Sequence, residues 1–220
     1  MISSFLHWGS RLLATLAACV SFTASSSASD YQFTYTNPSV GSFAAEYVLE
    51  YFSLVDCVPC RRFELDSLSG LIERAESGSL RIVFRDLLPG ADSMSESRAL
   101  FCLQEYPNYL ERRLSLKMGR NHPQTHSNAL NGLSLARYRA CFESDQVPSI
   151  LSHNLSVFDD LGFTATPAFV LSVSRPSSFR IASFVGSISL ADIDSALEDH
   201  AEQHSLARAS YRIPPIHSQN

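Results

Sequence analysis

The sequence predicts an α/β protein: a central mixed β-sheet flanked by helices, opened midway by an all-helical insertion. The order of hydrophobic patterns predicts it, running strand-helix-strand, then a helical block without strand signal, then strand-strand-helix. The two flanking halves lack enough strands to close separate sheets, so one interrupted domain is more economical than two. With 220 residues, 45% hydrophobic and 18% charged, a packed core is affordable and global disorder is not expected.

Residues 1–28 read as an export signal. Arg11 is the only charged side chain, Leu12 to Ala24 is mostly apolar, and the small residues Ser25 to Ser29 allow cleavage after Ala28. The alternatives are a buried first helix, or lipidation at Cys19 within Leu16-Ala17-Ala18-Cys19, which resembles a lipobox. Ser29 to Ser42 is a polar lead-in whose alternating Tyr31 to Tyr35 fits an edge strand. Tyr47 to Phe52 follows as a buried strand. Phe63, Leu65, Leu68, Leu71 and Ile72 then recur at helical spacing up to Gly78. Leu80 to Arg85 is a second buried strand, closed by Pro89-Gly90.

The pattern changes between Ser93 and Leu161. Leu100, Leu103, Tyr106, Leu110 and Leu114 mark short helices, expected to break at Pro107, at Gly119 to Pro123 and at Pro148. Ala168 to Val173 and Phe179 to Phe184, with Pro176 and serines between, have the spacing of a hairpin. A last helix starts at Ser189, with Asp192 completing a capping box and Leu190, Ile193 and Leu197 forming its apolar face. The divisions are therefore 1–28 signal, 29–92 first part of the core, 93–161 helical insertion, 162–208 second part of the core, and 209–220 a loose tail.

The formal charge of −5 and the absence of a basic run give no sign of nucleic-acid binding; Arg61-Arg62 and Arg112-Arg113 are isolated doublets. No stretch approaches the roughly 18 apolar residues of a membrane span. Once the signal is removed, Cys57, Cys60, Cys102 and Cys141 remain, an even number for a compartment in which disulfides persist.

The chemistry concentrates at Cys57-Val58-Pro59-Cys60. A strand that runs into a CxxC and then a helix puts the first thiol at a helix N-terminus, where free N–H groups and the macrodipole favour an anion. Such a thiolate titrates at roughly 3.5–7.5 and attacks disulfides. Cys60, one turn in, is the resolving thiol, and Pro59 loses no hydrogen bond in a first turn. A zinc half-site needs a second ligand pair that the sequence does not offer, and a purely structural bridge across so short a loop restrains the unfolded chain little. Cys102 and Cys141 fit a structural disulfide within the helical block, against the alternatives of free thiols or a thiol relay. His122, His126 and His153 are scattered among polar residues and fit surface or capping roles better than metal binding.

Glu50 to Glu64, Arg81 to Asp86 and Thr164 to Val170 resemble three segments of the DsbA-like thiol–disulfide oxidoreductases of the thioredoxin superfamily. There an acidic-aromatic strand enters the CxxC, and a Thr-Pro with a cis peptide bond precedes a later strand. The resemblance covers about Tyr47 to His200. It implies a thioredoxin-like core with an inserted helical domain, and Cys57 and Pro167 do lie 110 positions apart. It implies further that cis-Pro167 faces the CxxC, that Thr166 pairs with a substrate segment beside Val58 and Pro59, and that Glu50 relays protons to Cys60. Two features depart from the family pattern. Glu50 is seven positions before Cys57, one more than usual, and Val58-Pro59 replaces the Pro-His of strongly oxidising members.

The expected function is dithiol–disulfide exchange on exported, cysteine-containing proteins, most simply as an oxidase in a bacterial periplasm or envelope. A membrane redox partner resets it, the redox-active disulfide replaces any cofactor or metal, and the chain is a monomer. A reductase of thioredoxin-like poise, or a redox-inert assembly factor of a secretion or conjugation system, are the alternatives.

Overall fold

The computed structural model describes residues 35–88, 90, 93–105, 108–118, 132–174 and 179–210. The signal reading with Cys19, Tyr31 to Thr34, Tyr106, Pro107, Gly119 to Pro123, His122, His126, Pro176 and the tail beyond Ser210 lie outside the described residues.

Tyr47-Val48-Leu49-Glu50-Tyr51-Phe52-Ser53 forms β2, and Leu80–Asp86 forms β3 parallel to it, in register from Tyr47 opposite Leu80 to Ser53 opposite Asp86. The crossover between them is helical, in two pieces: α1, Val58–Asp66, and α2, Leu68–Glu76. β4, Ala168–Val173, returns antiparallel to β2 and turns into β5, Phe179–Val185. A two-residue strand β1, Ser39–Val40, lies antiparallel to β3, giving a five-stranded sheet ordered β1-β3-β2-β4-β5. This edge strand is a further one; the strand expected over Tyr31 to Tyr35 lies almost wholly outside the described residues. So short a segment carries no readable alternation, and Pro38 fixes it by accepting a hydrogen bond from Phe84 N–H at 2.8 Å.

Alternation along β2 sorts its side chains between two layers. Leu49 and Tyr51 join Phe63, Leu71, Phe84, Phe169 and Ile193 beneath α1, α2 and the last helix α7, Leu190–Ser210. Phe52 points to the other face and meets Phe158, Phe163 and Val170. The ring of Tyr51 stacks on Phe169 at 5.1 Å and meets the edge of Phe63 at 5.0 Å, which pins the first turns of α1 to the sheet.

A single helix from Phe63 to Gly78 is not what forms. The chain kinks at Ser67 (φ −126°, ψ −25°), whose N–H bonds the Phe63 carbonyl at 2.9 Å. The kink resets the buried face, so that α1 buries Cys60, Phe63 and Glu64 while α2 buries Leu68, Leu71 and Ala75. Leu65 is left exposed, contrary to its place in the apolar spacing. Arg74 of α2 forms an ion pair with Asp194 of α7.

The insertion comprises α3 (Met94–Cys102), a 3₁₀ turn (Leu103–Glu105), α4 (Tyr109–Lys117), α5 (Gly132–Glu143) and α6 (Gln146–Asp160). Pro148 does not break a helix as expected. It lies in the first turn of α6, where its missing N–H has no intrahelical partner to lose. Cys102 at the end of α3 and Cys141 on α5 are joined by a disulfide, both fully buried among Phe101, Val147 and Leu151. At α7, Ser189 Oγ accepts from Asp192 N–H at 3.3 Å and Asp192 Oδ2 accepts from Ser189 N–H at 2.6 Å. Ile193 is buried and Leu197 packs on the core, whereas Leu190 in the first turn remains exposed.

Candidate active site

The site lies where β2 ends and α1 begins. Cys57 is the N-cap of α1, with extended backbone (φ −67°, ψ 108°), and its Sγ accepts the Cys60 N–H at 3.0 Å. This is the position of a serine or aspartate cap, occupied here by sulfur. Pro59 occupies the first turn. Cys57 and Cys60 are joined as a disulfide with Cα atoms 5.2 Å apart. Cys57 is 8% exposed and Cys60 0%, so only the first sulfur can be reached from outside. Val58 projects next to it at 57% exposure, and Pro59 is also exposed.

The strand β4 closes the site from the other side. The Thr166–Pro167 peptide is cis, and Pro167 is held by Gly186 N–H, which donates to its carbonyl at 2.8 Å. Thr166 Oγ1 donates to Cys57 Sγ at 3.3 Å, and the same sulfur lies 3.6 Å from the Thr166 carbonyl oxygen. Two donors, one from the helix start and one from the cis-proline turn, therefore aim at the sulfur that needs a counter-charge on reduction.

Glu50 occupies a different place from the one implied by the family likeness. It sits on the strand face opposite Tyr51, whereas Tyr51 packs with Cys57 and Cys60. Its carboxylate pairs with Arg85, whose Nε donates to Oε1 at 2.6 Å, and Arg85 in turn reaches Asn154 of α6. The period of two along β2 is the physical reason: Glu50 and Tyr51 cannot share a face.

On the cysteine side, a buried charge cluster lies one helical turn below Cys60. Arg113 of α4, 0% exposed, donates to both oxygens of Asp86, at 2.7 and 2.8 Å, to Glu64 Oε1 at 3.1 Å, and to Ser53 Oγ at 2.7 Å. Lys117 Nζ donates to Glu64 Oε1 at 2.8 Å and to Ser53 Oγ at 3.0 Å. Tyr51 OH donates to the same Glu64 oxygen at 2.9 Å, and Tyr109 OH accepts from Arg113. Arg61, next to Cys60, donates to the Lys117 carbonyl at 2.9 Å.

Burial pushes the Glu64 carboxyl up, but Arg113 and Lys117, with the hydrogen bonds from Lys117 and Tyr51, carry it below its ordinary value. Burial depresses the Lys117 ammonium to about 8, with the like charge of Arg113 adding to the depression against the pull of Glu64 and Asp86. Arg113, opposed by burial but held by Asp86, Tyr109 and Glu64, stays protonated.

Sequence reasoning missed this cluster. Arg112-Arg113 registers there only as an isolated doublet, although Tyr109, Arg113 and Lys117 recur every four residues and so share one stripe of α4. Of His122, His126 and His153, only His153 is described, exposed on α6.

A family model described as thioredoxin matches residues 34–175, more than half of the chain. The chain belongs to the thioredoxin family. Among solved structures its fold is similar to that of a thioredoxin-like oxidoreductase from Silicibacter pomeroyi, with TM-score 0.57, 19% identity, and coverage of 76% of this chain and 92% of that one. Wolbachia pipientis α-DsbA1 is similar with TM-score 0.55, 16% identity, and coverage of 74% and 90%. Pseudomonas aeruginosa DsbA2 is similar with TM-score 0.55, 16% identity, and coverage of 77% and 97%. No curated protein matches the chain. Family, DsbA-like fold and the paired cysteines at a helix start together support thiol–disulfide exchange as the chemistry of this thioredoxin-family protein.

Proposed function

We propose that the protein is an exported dithiol oxidase acting on cysteine-containing proteins of a bacterial periplasm or envelope. The observation that carries this reading is the pair of donors on Cys57 Sγ, the Cys60 N–H at 3.0 Å and the Thr166 hydroxyl at 3.3 Å. Both stabilise a Cys57 thiolate, hence the reduced enzyme, and a stabilised reduced form makes the disulfide a stronger oxidant.

In the proposed cycle a substrate thiolate attacks Cys57 Sγ, the Cys57–Cys60 bond breaks toward Cys60, and a mixed disulfide forms. The substrate's second thiolate then attacks its own sulfur and releases Cys57 as thiolate, so the substrate leaves oxidised by two electrons and the enzyme reduced. The exposed Val58 and Pro59 and the backbone at Thr166 and cis-Pro167 flank Cys57, and we assign them to substrate contact. A membrane redox partner reoxidises the dithiol. Export rests on the apolar Leu12 to Ala24 stretch followed by small residues, and a second, buried disulfide suits an oxidising compartment.

Pro59 directly before Cys60 favours a second reading, a reductase. Equilibration of the full chain with glutathione separates the readings. A potential above about −200 mV supports the oxidase; one near −270 mV, the range of thioredoxin, supports the reductase. A Cys57–Cys60 pair that does not exchange with glutathione at all leaves only a redox-inert assembly role.

A further inference from the structure

A cleft of about 490 Å³ lies between β1, the end of α2 and the start of α4, with Ser39, Val40, Phe43, Glu76, Gln104 and Leu110 in its walls. Ligand sites span about 300–1,000 Å³. One wall is the outer edge of β1, beyond which no further strand lies among the described residues. The register fixes which backbone groups that edge presents. Phe84 N–H donates to the Pro38 carbonyl, and Ser39 and Val40 stand opposite Val83 and Ile82. Bonded and non-bonded pairs alternate along an antiparallel ladder. Pro38 opposite Phe84 is a bonded pair, so Ser39 is in a non-bonded one, and its N–H and carbonyl point away from β3. Proline usually blunts an edge by removing an outward N–H, but the nitrogen of Pro38 faces β3 and leaves the outer edge intact.

The other walls carry groups that a peptide would satisfy. Gln104 Nε2, in the 3₁₀ turn, is buried and has no hydrogen-bond partner among the described residues. Such a donor calls for a carbonyl. Val40 and Leu110 are half-buried, and Phe43 is 70% exposed, its ring held by the Arg81 guanidinium at 3.9 Å. Glu76 ends α2, exposed, where the negative end of the helix dipole adds to its charge. None of the ion pairs among the described residues uses it. Arg81 leaves that charge in place: by alternation with Ile82, which packs under α2, it belongs to the other face of β3.

We propose that this cleft is a peptide-binding groove, in which an extended segment of another protein adds as a strand to the outer edge of β1. Ser39 N–H and carbonyl exchange hydrogen bonds with the incoming backbone, and Gln104 Nε2 donates to one of its carbonyls. An apolar side chain of the segment lies against Val40, Leu110 and Phe43, and a neighbouring basic side chain meets Glu76. Main-chain bonds give such a site its affinity, and the side-chain pockets and the charge give it its preference. Capture there needs no thiol, so the inference goes beyond the exchange reading and does not rest on it.

The test titrates the oxidised full chain with two short, labelled, cysteine-free peptides, one of alternating valine and lysine and one of alternating valine and glutamate. Fluorescence anisotropy is read at about 0.15 M salt, which screens the general charge of the protein. The valine–lysine peptide is expected to saturate the chain and to bind about tenfold tighter than its counterpart. Amide exchange of Ser39, followed by NMR, is expected to slow in the saturated chain. Ser39→Pro removes only the outward N–H and is expected to weaken binding about tenfold, whereas Ser39→Ala keeps that N–H and binds like the wild type. Glu76→Lys, a change at an exposed position, is expected to reverse the preference between the peptides, and it carries the test if Ser39→Pro lowers the melting temperature. No saturation, a Ser39 amide that exchanges as fast with peptide as without, or an unaltered preference in Glu76→Lys overturns the proposal. Failure of the exchange reading looks different: Cys57→Ser then leaves dithiol oxidation of substrates unchanged, whatever the peptides do.

Discussion

Thr166 and Cys57, 109 residues apart in sequence, meet through a hydrogen bond of 3.3 Å from the threonine hydroxyl to the sulfur. The contact joins Thr166, in the cis peptide before β4, to the N-cap of the active-site helix. In the disulfide, sulfur is a weak acceptor. In the thiolate the same geometry becomes a charge-assisted bond.

Thr166→Val should therefore raise the pKa of Cys57 in the reduced protein. One lost hydrogen bond to a charged group is worth about 1.5 kcal/mol, or about one pKa unit. Ultraviolet absorbance of the thiolate measures it, and an unchanged titration would remove Thr166 from the account.

Arg113→Met leaves Glu64 and Asp86 buried with one ammonium between them. Breaking a buried ion pair from one side costs about 3–5 kcal/mol, so the midpoint of urea unfolding should fall strongly. A loss below about 1 kcal/mol would show that the cluster is solvated in solution.

Glu64 also predicts an acid limit. Its folded pKa is held below the ordinary value by Arg113 and Lys117 against burial, so its contribution is complete above the unfolded pKa of about 4.3 and disappears as pH falls through the folded value. Thermal melts from pH 6 down to pH 3 should show stability falling in that window. Glu64→Gln should have a lower melting temperature at pH 6 and a flatter pH dependence there.

The bridge between Cys102 and Cys141 closes a loop of 39 residues away from the CxxC. The chain-entropy model values it at about 4 kcal/mol. Replacing both cysteines by alanine should lower stability by about 2–4 kcal/mol and leave the rate of thiol exchange at Cys57 within about twofold. A larger loss of exchange would favour a relay between the two pairs.

Much of this was legible in the sequence because it is carried by local signals. The β2-CxxC-α1 succession, the Thr166-Pro167 turn and the Ser189–Asp192 cap each depend on a few adjacent residues. Three features depend on what happens elsewhere. The kink at Ser67 lies inside a run whose spacing reads as one helix, and β1 is too short to show a period. The charged stripe of α4 reads as solvent-facing until Asp86, Ser53 and Glu64 are placed opposite it, since a buried Arg113 is tolerable only with those partners. Glu50 shows the reverse: a residue matched by position in a motif lies on the strand face away from Cys57, where it accepts a hydrogen bond from Arg85.

Exchange at the CxxC depends most on the ionisation of Cys57 at the start of α1, and titrating the reduced full chain by thiolate absorbance, with Cys60→Ala isolating the first sulfur, tests it directly. Half-ionisation at or below about pH 7.5 is the predicted result. A Cys57 thiol that stays protonated up to about 8.5, the ordinary value for cysteine, would contradict it.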